Sequence, residues 1–417
     1  MTDIRTKLLK GAKRAYLGAG SSLTHNPLAD LKWFFEQEAD SWVTWMDIPP
    51  AKRLWYWRHG FTSPTAKLYD IDTYGPDAFV SELQRNKLFA SLNGAHRYLI
   101  DDKLSQHWML ADYPETRPEA YGFLDHGHVH GIPGTEFEGG ARPVAEWLPE
   151  ALRTHEKLVV KHLRGEGGKE VFVYAYDGTD GFQIDGEPVS EADLCAAAAE
   201  LSGYLVSAFV TQHAYADDLY PHATNTMRFF TLWDDEAGEL LVPAAVHRIG
   251  TEASRPIDNF SIGGIASWID LETGKLGPAA QIPLDGGDVP WYSTHPDTGA
   301  QIEGVTVPHW QAIRETVERL ALENTYIPAI GWDILLDESG EPVVLEANTG
   351  TGFDLIQVHR PLLADERVAA VASRHLRGVD HPSAVRAAAH RIRAEAEGSD
   401  APNVDEHRNG SLPRQSP

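Results

Sequence analysis

Two carboxylates interrupt apolar stretches near residue 340, and their spacing indicates a metal site. The segment GWDILLDESGEPVVLEAN reads as two apolar strands around a polar turn, with Asp333 in the first strand and Glu346 and Asn348 in the second. We expect Leu336 to pair with Val343. This register places Asp333 opposite Glu346, where like charges repel unless a divalent cation such as Mg²⁺ neutralises them. The alternative is an edge hairpin whose acids face water.

A lysine followed by glycines is a second candidate feature. The stretch VVKHLRGEGGKEV places Lys161 at the end of an apolar strand, and Gly165, Gly167 and Gly168 follow it. Glycines let backbone N–H groups approach an anion, and a lysine supplies a point charge for phosphate. The loop joins two strands, so it is neither a Walker loop nor a Rossmann turn. An ordinary glycine-rich hairpin with a solvated lysine is the other interpretation.

Two arginines lie inside apolar strands. Arg228 occurs in NTMRFFTL and Arg248 in AAVHRIG, and the loop IDNFSIGG with Asn259 follows. Buried cations need partners, and phosphate oxygens suit arginine well. Structural ion pairs with some of the many acids are an equal alternative.

The order of elements predicts an α+β fold with antiparallel sheets. Several strands between residues 150 and 350 follow one another without intervening helices. We expect a helical, aromatic-rich region over 1–100, a nucleotide-binding and catalytic domain over 101–357, a helical segment over 358–396 and a disordered tail over 397–417. Residues 251–304 read as a long loop because they are rich in Gly, Pro and Asp.

Composition excludes several classes of function. The chain has 417 residues and a net charge of −25, which disfavours nucleic-acid binding. One cysteine, Cys195, cannot form a disulfide framework, so a cytoplasmic location is expected. No apolar run is long enough to predict a transmembrane helix. The histidines of DHGHVHG, residues 125–131, have spacing that allows a transition metal, although a loop with satisfied histidines is the favoured interpretation.

Taken together, the motifs resemble those of the ATP-grasp superfamily, in particular its sugar-transfer associated branch, which is related to ligases that add glutamate to a ribosomal protein. The resemblance covers about residues 70–357. It rests on the order K-x(3)-G-x-GG, N-T-x-R, R-x-G, DNFSIGG and GWD…LEAN. It implies an ATP-grasp fold, in which two α+β subdomains clasp ATP.

The resemblance also implies roles for individual residues. Lys161 resembles the lysine that grips the ATP phosphates, and Lys103 resembles the lysine that opens the nucleotide-binding region. The strand YLVSAFV is similar to the hinge strand whose backbone meets adenine, which makes Phe209 and Val210 the candidate contacts. Charge stabilisation at the transferred phosphate falls to Arg228 and Arg248 because Gly331 stands where some relatives carry an arginine. The remaining implied contacts are Gly165, Gly167, Gly168 and Asn259 for nucleotide, and Asp333, Glu346 and Asn348 for metal.

The implied activity is that of an ATP-dependent, ADP-forming ligase that uses Mg²⁺, or Mn²⁺ in its place. It would join a small-molecule or glycan-linked carboxylate to an amine or another nucleophile through an acyl phosphate. Glycan or cell-surface polymer modification is suggested by the branch's name alone. A phosphotransferase of the same fold is the alternative, and a non-catalytic nucleotide-binding module is a third. The sequence does not specify the acceptor or the oligomeric state.

Overall fold

The computed structural model describes residues 27–39, 48–135, 137, 139–165, 170–179, 181–284 and 287–376. Several predictions fall outside these residues. They concern Gly167, Gly168, the end of the predicted C-terminal helical segment and the predicted disordered tail. None of the described helices is both long and apolar enough to cross a membrane.

Fifteen strands of the described residues form two antiparallel sheets. The first sheet has the order β3-β2-β1-β8-β4-β5-β6-β7, and the second has the order β13-β12-β11-β10-β9-β14-β15. The strands are β1 Ala120–Asp125, β2 His128–His130, β3 Ala141–Pro143, β4 Lys157–His162, β5 Val171–Asp177, β6 Gly181–Ile184, β7 Glu187–Val189, β8 Tyr204–Ala208, β9 Met227–Asp234, β10 Glu239–Ile249, β11 Ile265–Ile269, β12 Leu276–Gln281, β13 Trp291–Tyr292, β14 Ala329–Leu336 and β15 Pro342–Asn348.

Helices cover both sheets and build the N-terminal region. The described α-helices are α1 Pro27–Ala39, α2 Pro50–Arg58, α3 Ser63–Leu68, α4 Ile71–Tyr74, α5 Glu82–Asn93, α6 Arg97–Ile100, α7 Lys103–Met109, α8 Val144–His155, α9 Glu191–Ala199, α10 Ala214–Leu219, α11 Trp310–Glu323, α12 Asp354–Gln357 and α13 Glu366–His375.

The first sheet packs one face on α8 and α9. Alternate residues of β4, Leu158 and Val160, are fully buried against Leu148 and Leu152 of α8. The period of two is that of a strand with one face in a core. The strand β8 lies in the middle of this sheet, between β1 and β4. The end of β8 at Ala208, where the chain leaves the sheet, is therefore flanked by β1 on one side and by β4 on the other.

The second sheet is buried on both faces, which explains why its central strands show no polar alternation. Every residue of β14 is buried. On β9, Phe229 faces one core and stacks on Trp310 of α11 at 5.4 Å, while Phe230 faces the other core. That second core contains Phe89 of α5 and Val368 of α13. The N-terminal and C-terminal helices thus share one core with this sheet.

Two buried amides attach the N-terminal helices to the sheet region. Asn93 at the end of α5 donates to Ala329 O at 2.8 Å and accepts from Ala329 N at 2.9 Å. Gln357 donates to Val80 O at 2.9 Å and to the hydroxyl of Tyr69 at 3.0 Å. These bonds satisfy backbone groups that would otherwise be buried without partners.

The predicted α+β architecture with antiparallel sheets is confirmed. The interpretation of residues 251–304 as a long loop was wrong, because β11, β12 and β13 lie there and extend the second sheet. The cause is that β11 and β12 are short and contain small residues such as Ala279 and Ala280, which carry little strand signal yet are fully buried.

The hairpin register differs from the expected one near its turn. Leu336 pairs with Pro342, and Val343 pairs with Leu335. A bulge between Asp333 and Ile334 shifts the register by one residue. Asp333 and Glu346 therefore still stand opposite each other, as the sequence predicted, although the assumed Leu336–Val343 pair was wrong.

Asn93→Ala tests the attachment of α5 to the sheet. The substitution leaves a buried N–H and a buried C=O of Ala329 without partners, so we expect a loss of about 2–4 kcal/mol in the free energy of unfolding. Urea unfolding followed by circular dichroism measures it. The control is Gln311→Ala on the exposed surface of α11, and equal stability of the two variants would contradict the assigned role of Asn93.

Candidate active site

A deep cleft of about 990 Å³ is lined by both sheets. The first sheet contributes residues of β4, β5 and β8, and the second contributes residues of β9, β10, β14 and β15. The N-terminal helices α1 and α5 add residues to the same wall. The cleft is large enough for a drug-sized ligand, since such pockets span roughly 300–1,000 Å³.

Asp333 lies in the cleft and is held by two arginines from neighbouring strands. Arg228 binds it with two parallel hydrogen bonds, of which Nη2 to Oδ2 measures 2.6 Å. Arg248 Nη1 donates to the same Oδ2 at 3.0 Å. The register explains the contact, because Arg228 on β9 stands directly opposite Asp333 on β14. Burial alone would raise the pKa of Asp333, but Arg228 and Arg248 together hold it below its usual value.

A second buried carboxylate completes this ion cluster. Asp258 accepts from Arg248 Nη2 at 2.5 Å and from the backbone N–H of Thr226 at 2.8 Å. Burial raises the pKa of Asp258 despite the neighbouring arginine. Burial also opposes the charge of Arg248, but Asp258 and Asp333 outweigh it and raise the pKa of the guanidinium above its usual value. The cluster fixes Arg248 in the cleft wall.

Glu346 has a cation of its own. Its Oε1 lies 2.9 Å from Nζ of Lys103, and the same Nζ donates to Gly165 O at 2.9 Å. The backbone N–H of Lys103 bonds to Leu163 O at 2.9 Å. Lys103 therefore connects the loop after β4 in the first sheet with β15 in the second.

Lys161 points across the cleft from β4 toward β15. Its Nζ donates to Leu345 O at 3.3 Å. Burial and the nearby charge of Lys103 lower the pKa of Lys161 to about 8. No described carboxylate forms an ion pair with this ammonium, although Glu346 is near enough to favour its charge, so Lys161 can still bind an anionic ligand.

Positive charge is concentrated in the cleft although the chain is strongly acidic. Six cationic and seven acidic side chains line the cleft, whereas the whole chain carries −25. Around Asp333 and Glu346 the acids are paired with Arg228, Arg248 and Lys103, and Lys161 adds a cation that has no ion pair with a described residue. This part of the cleft can therefore accept an anionic ligand.

Part of the cleft lining is apolar. It includes Val159, Val173 and Leu335, together with Phe209 and Val210, which directly follow β8. Nζ of Lys157 lies 5.1 Å from the ring centre of Phe209. Ser207 is 2% exposed, and its hydroxyl has no hydrogen-bond partner among the described residues. The cleft thus combines apolar side chains and a spare polar group with the charged groups described above.

Gly331 is a glycine because another side chain occupies its space. A methyl group at this position would lie 2.5 Å from Cβ and Oγ1 of Thr351. The same Oγ1 accepts a hydrogen bond from Nη1 of Arg228. The positive charge at this point of the cleft therefore comes from β9, and Thr351 fills the place that a side chain on β14 would need.

Every predicted site residue within the described ranges lines the cleft. These residues are Lys103, Lys161, Gly165, Phe209, Val210, Arg228, Arg248, Asn259, Asp333, Glu346 and Asn348. Their assigned roles stay predictions.

Sequence reasoning gave no role to Asp258, Thr351 or Asp101, although all three line the cleft. Asp101 accepts hydrogen bonds from the hydroxyl of Thr349 at 2.7 Å and from its N–H at 3.2 Å. The loop that contains Thr349 and Thr351 has the sequence NTGTG. Its small polar residues directly after the strand were the available signal.

The histidines of residues 125–131 lie in a hairpin away from these residues. The side chain of His126 contacts Asp125 at 2.9 Å, and His130 stacks on Phe123 at 4.8 Å. Within the described part of the chain, no group of three His, Cys, Asp or Glu side chains is arranged to hold a metal ion.

The two sheets with the cleft between them have the architecture of the ATP-grasp fold. The sequence matches the family described as Sugar-transfer associated ATP-grasp over residues 84–371, which is more than half of the chain. The protein belongs to this family. No curated protein sequence matches the chain.

Solved structures of low identity match parts of the chain. D-alanyl-alanine synthetase A from Vibrio cholerae is 14% identical, with a TM-score of 0.36, over 69% of this chain and 65% of its own. An ATP-grasp ligase from Chryseobacterium gregarium, in complex with ADP and leader and core peptide, is 11% identical, with a TM-score of 0.35, over 70% and 66%. N5-carboxyaminoimidazole synthase from Aspergillus clavatus is 11% identical, with a TM-score of 0.31, over 60% and 44%. The chain spans less than two thirds of the length of each.

Gly331→Ala tests the packing at Thr351. Because the new methyl group collides with Thr351, we expect a loss of about 1–3 kcal/mol in the free energy of unfolding. Chemical denaturation measures it. The control is Gly178→Ala, where an added Cβ meets nothing within 4 Å. A Gly331→Ala variant as stable as the control would contradict the close approach of Thr351.

Proposed function

We propose that this protein is an ATP- and Mg²⁺-dependent ligase that joins a carboxylate to an amine through an acyl phosphate. The observation that carries the proposal is the cluster of four cations around the paired strand acids Asp333 and Glu346, to which the first sheet, the second sheet and helix α7 all contribute. Phosphoryl transfer requires this combination, since catalysis consists mainly of positioning and charge neutralisation.

ATP matches the residue types of this cleft. The apolar residues Val159, Phe209 and Val210 suit a nucleobase, and the hydroxyl of Ser207, which has no partner among the described residues, is available to its polar edge. Lys103 and Lys161 would bind phosphate oxygens. Gly165, whose carbonyl accepts a hydrogen bond from Lys103, also lines the cleft.

The donor set suits Mg²⁺, or Mn²⁺ in its place. Asp333, Glu346 and Asn348 offer only oxygen ligands, and the two carboxylates stand opposite each other on paired strands. Both carboxylates are paired with protein cations, so metal binding would release Arg228 and Lys103 for the phosphates. When bound, the ion would neutralise phosphate charge.

The protein side chains act by position and charge. Arg228 and Arg248 face the transferred phosphate while the substrate carboxylate attacks it, which forms the acyl–phosphate bond and releases ADP. The amine nitrogen then bonds to the acyl carbon as phosphate leaves with the electron pair. Of the two protons that the ammonium form loses, one stays on phosphate and one goes to solvent.

The proposal includes a glycan-linked or polymer-linked carboxylate only on the strength of the family's description. The cytoplasmic location and the boundaries of the four sequence segments likewise stay predictions.

The decisive experiment is a screen for ADP release against pooled carboxylates and pooled amines, with products identified by mass. A ligase consumes ATP only when both pools are present and yields an amide. A phosphorylated product formed without amine would instead identify a phosphotransferase, and nucleotide binding without turnover in any pool would identify a binding module.

Glu346→Gln should lower ATP turnover by about 10²–10³-fold, because it removes one of the two acidic ligands and the partner of Lys103. Steady-state ADP release is the measurement. Glu341→Gln, at the exposed turn of the same hairpin, is the matched control. Retained turnover in Glu346→Gln would remove Glu346 from the proposed metal site.

Nucleotide affinity should depend on pH through Lys161. Its pKa of about 8 means that the free protein loses this positive charge as the pH rises through 8, so the Kd for ATP should increase by about tenfold between pH 7.5 and 9.5. Isothermal titration calorimetry with Mg²⁺ measures it. Lys161→Arg keeps the charge over this range and should show a flat profile. A profile unchanged from that of the natural chain would assign the titration to another group.

A further inference from the structure

The helix α2 exposes its apolar side chains and buries a charged one. Leu54 is 53% exposed and Trp55 is 39% exposed, whereas Arg53 of the same helix is 1% exposed. A surface helix ordinarily does the reverse, because its apolar stripe packs on the core. The burial of Arg53 is explained by its ion pair with Glu38 at 2.5 Å. The exposure of Leu54 and Trp55 has no such explanation in the described part of the chain.

The two exposed side chains belong to one outer face of α2. Residues three and four apart lie on the same side of a helix, so Ala51, Leu54, Trp55 and Arg58 form one row. All four are exposed. The ring of His59, directly after the helix, lies 4.2 Å from the ring of Trp55. The outer face of α2 thus presents a leucine and a tryptophan beside an arginine.

The charge on α2 is positive. The helix has the sequence PAKRLWYWR, which contains three cations and no acid. Lys52 pairs with Asp72 at 2.7 Å, whereas Arg58 forms no ion pair with any residue that the structure describes. The outer face therefore offers a cation to an anionic partner next to apolar side chains that water covers poorly.

Positive charge is also concentrated in the sequence before α1. Residues 1–26 contain five Lys or Arg and one Asp, and the cations alternate with Ile, Leu and Tyr in the stretch IRTKLLKGAKRAYL. These residues lie outside the described ranges. The whole chain carries −25, so an anionic surface repels the protein as a whole and attracts this basic segment. Such an asymmetry favours one orientation of the protein on an anionic surface.

Tryptophan is concentrated in the same region. Five of the twelve tryptophans of the chain occur between residues 33 and 57. Of the three that the structure describes there, Trp33 and Trp57 are half-buried and Trp55 is exposed. A tryptophan joins a large apolar ring to an N–H donor, and it therefore favours the boundary between lipid chains and head groups. The residue type at the outer face of α2 thus suits a lipid surface.

We propose that the outer face of α2 and the basic segment of residues 1–26 together bind the surface of an anionic lipid bilayer. Leu54 and the ring of Trp55 enter the head-group region, and Arg58 and the cations of the segment meet the lipid phosphates. Segments that lie in a membrane interface combine these two contributions, apolar insertion and attraction to anionic head groups. The proposal concerns docking on a lipid surface and does not depend on the proposed ligase.

Co-sedimentation of the full chain with lipid vesicles tests the proposal. The vesicles consist of phosphatidylcholine alone or of phosphatidylcholine with about 30% phosphatidylglycerol, which supplies the anionic head groups. We expect the affinity for the anionic vesicles to exceed that for the neutral ones by about tenfold. The affinity for anionic vesicles should fall by about tenfold when the salt concentration rises from about 0.1 to 0.5 M, because salt screens the attraction.

A double variant on α2 tests the apolar contribution. Leu54→Ser combined with Trp55→Ser should lower the affinity for anionic vesicles by about tenfold or more, because it removes the side chains that enter the lipid. The matched control is Leu322→Ser combined with Trp108→Ser, which removes a comparably exposed leucine and tryptophan from α11 and α7. The control should bind like the natural chain, and circular dichroism verifies that both variants fold.

Lys10→Gln combined with Lys13→Gln tests the charge and should reduce the salt dependence of binding. Absence of binding to anionic vesicles, or equal binding to neutral ones, would overturn the proposal. Undiminished binding of the α2 double variant, or an equal loss in its control, would overturn it as well. Light scattering provides a further check. A self-associated chain that the α2 double variant dissociates, without any vesicle binding, would show that a second copy covers this face instead of lipid.

Discussion

The structure of the cleft depends on the ion pair between Arg228 and Asp333. Both side chains are buried in the second sheet, and removal of either partner would leave an uncompensated charge at a cost of about 3–5 kcal/mol. The pair forms only in the register that sets β9 against β14 residue by residue. Arg248 then adds β10 and Asp258 to the same cluster. The ion cluster around Asp333 thus connects β9, β10 and β14 with the loop that contains Asp258.

The same carboxylate is the first proposed metal ligand, and this double use has a physical advantage. In the protein alone, Asp333 and Glu346 are neutralised by Arg228 and Lys103, so opposed acids on paired strands do not repel each other. A metal–nucleotide complex brings both a cation for the acids and anions for the bases. In the proposed function, binding would therefore exchange ion-pair partners and leave few charges unpaired.

The N-terminal helices belong to this arrangement. Asn93 fixes the end of α5 to β14, and Phe89 packs with Phe230 from β9 at 6.1 Å. Arg85 on the same helix is thereby fixed in the wall of the cleft. The N-terminal helices thus contribute to the lining of the cleft as well as to the core that supports it.

The sequence by itself determined the chemistry at single positions. Lysines and arginines inside apolar strands, and acids two residues from an amide in a hairpin, are rare enough in buried segments that their types indicate function. It also predicted the α+β class, because consecutive strand patterns without helices leave few other architectures. The sequence did not predict the strands whose formation depends on pairing with a distant segment of the chain. The short strands β11 and β12 contain small residues that become strands only because β10 offers an edge to pair with.

Only the tertiary structure decided which charges meet. The sequence left open whether Arg228 and Arg248 bind acids or a ligand. In the structure, both arginines form ion pairs with Asp333. It also showed that Thr351, twenty residues from Gly331, fills the space beside that glycine. These facts depend on distances between segments far apart in the chain. No local pattern contains them, because pairing is set by the register of strands and by packing of the helices around them.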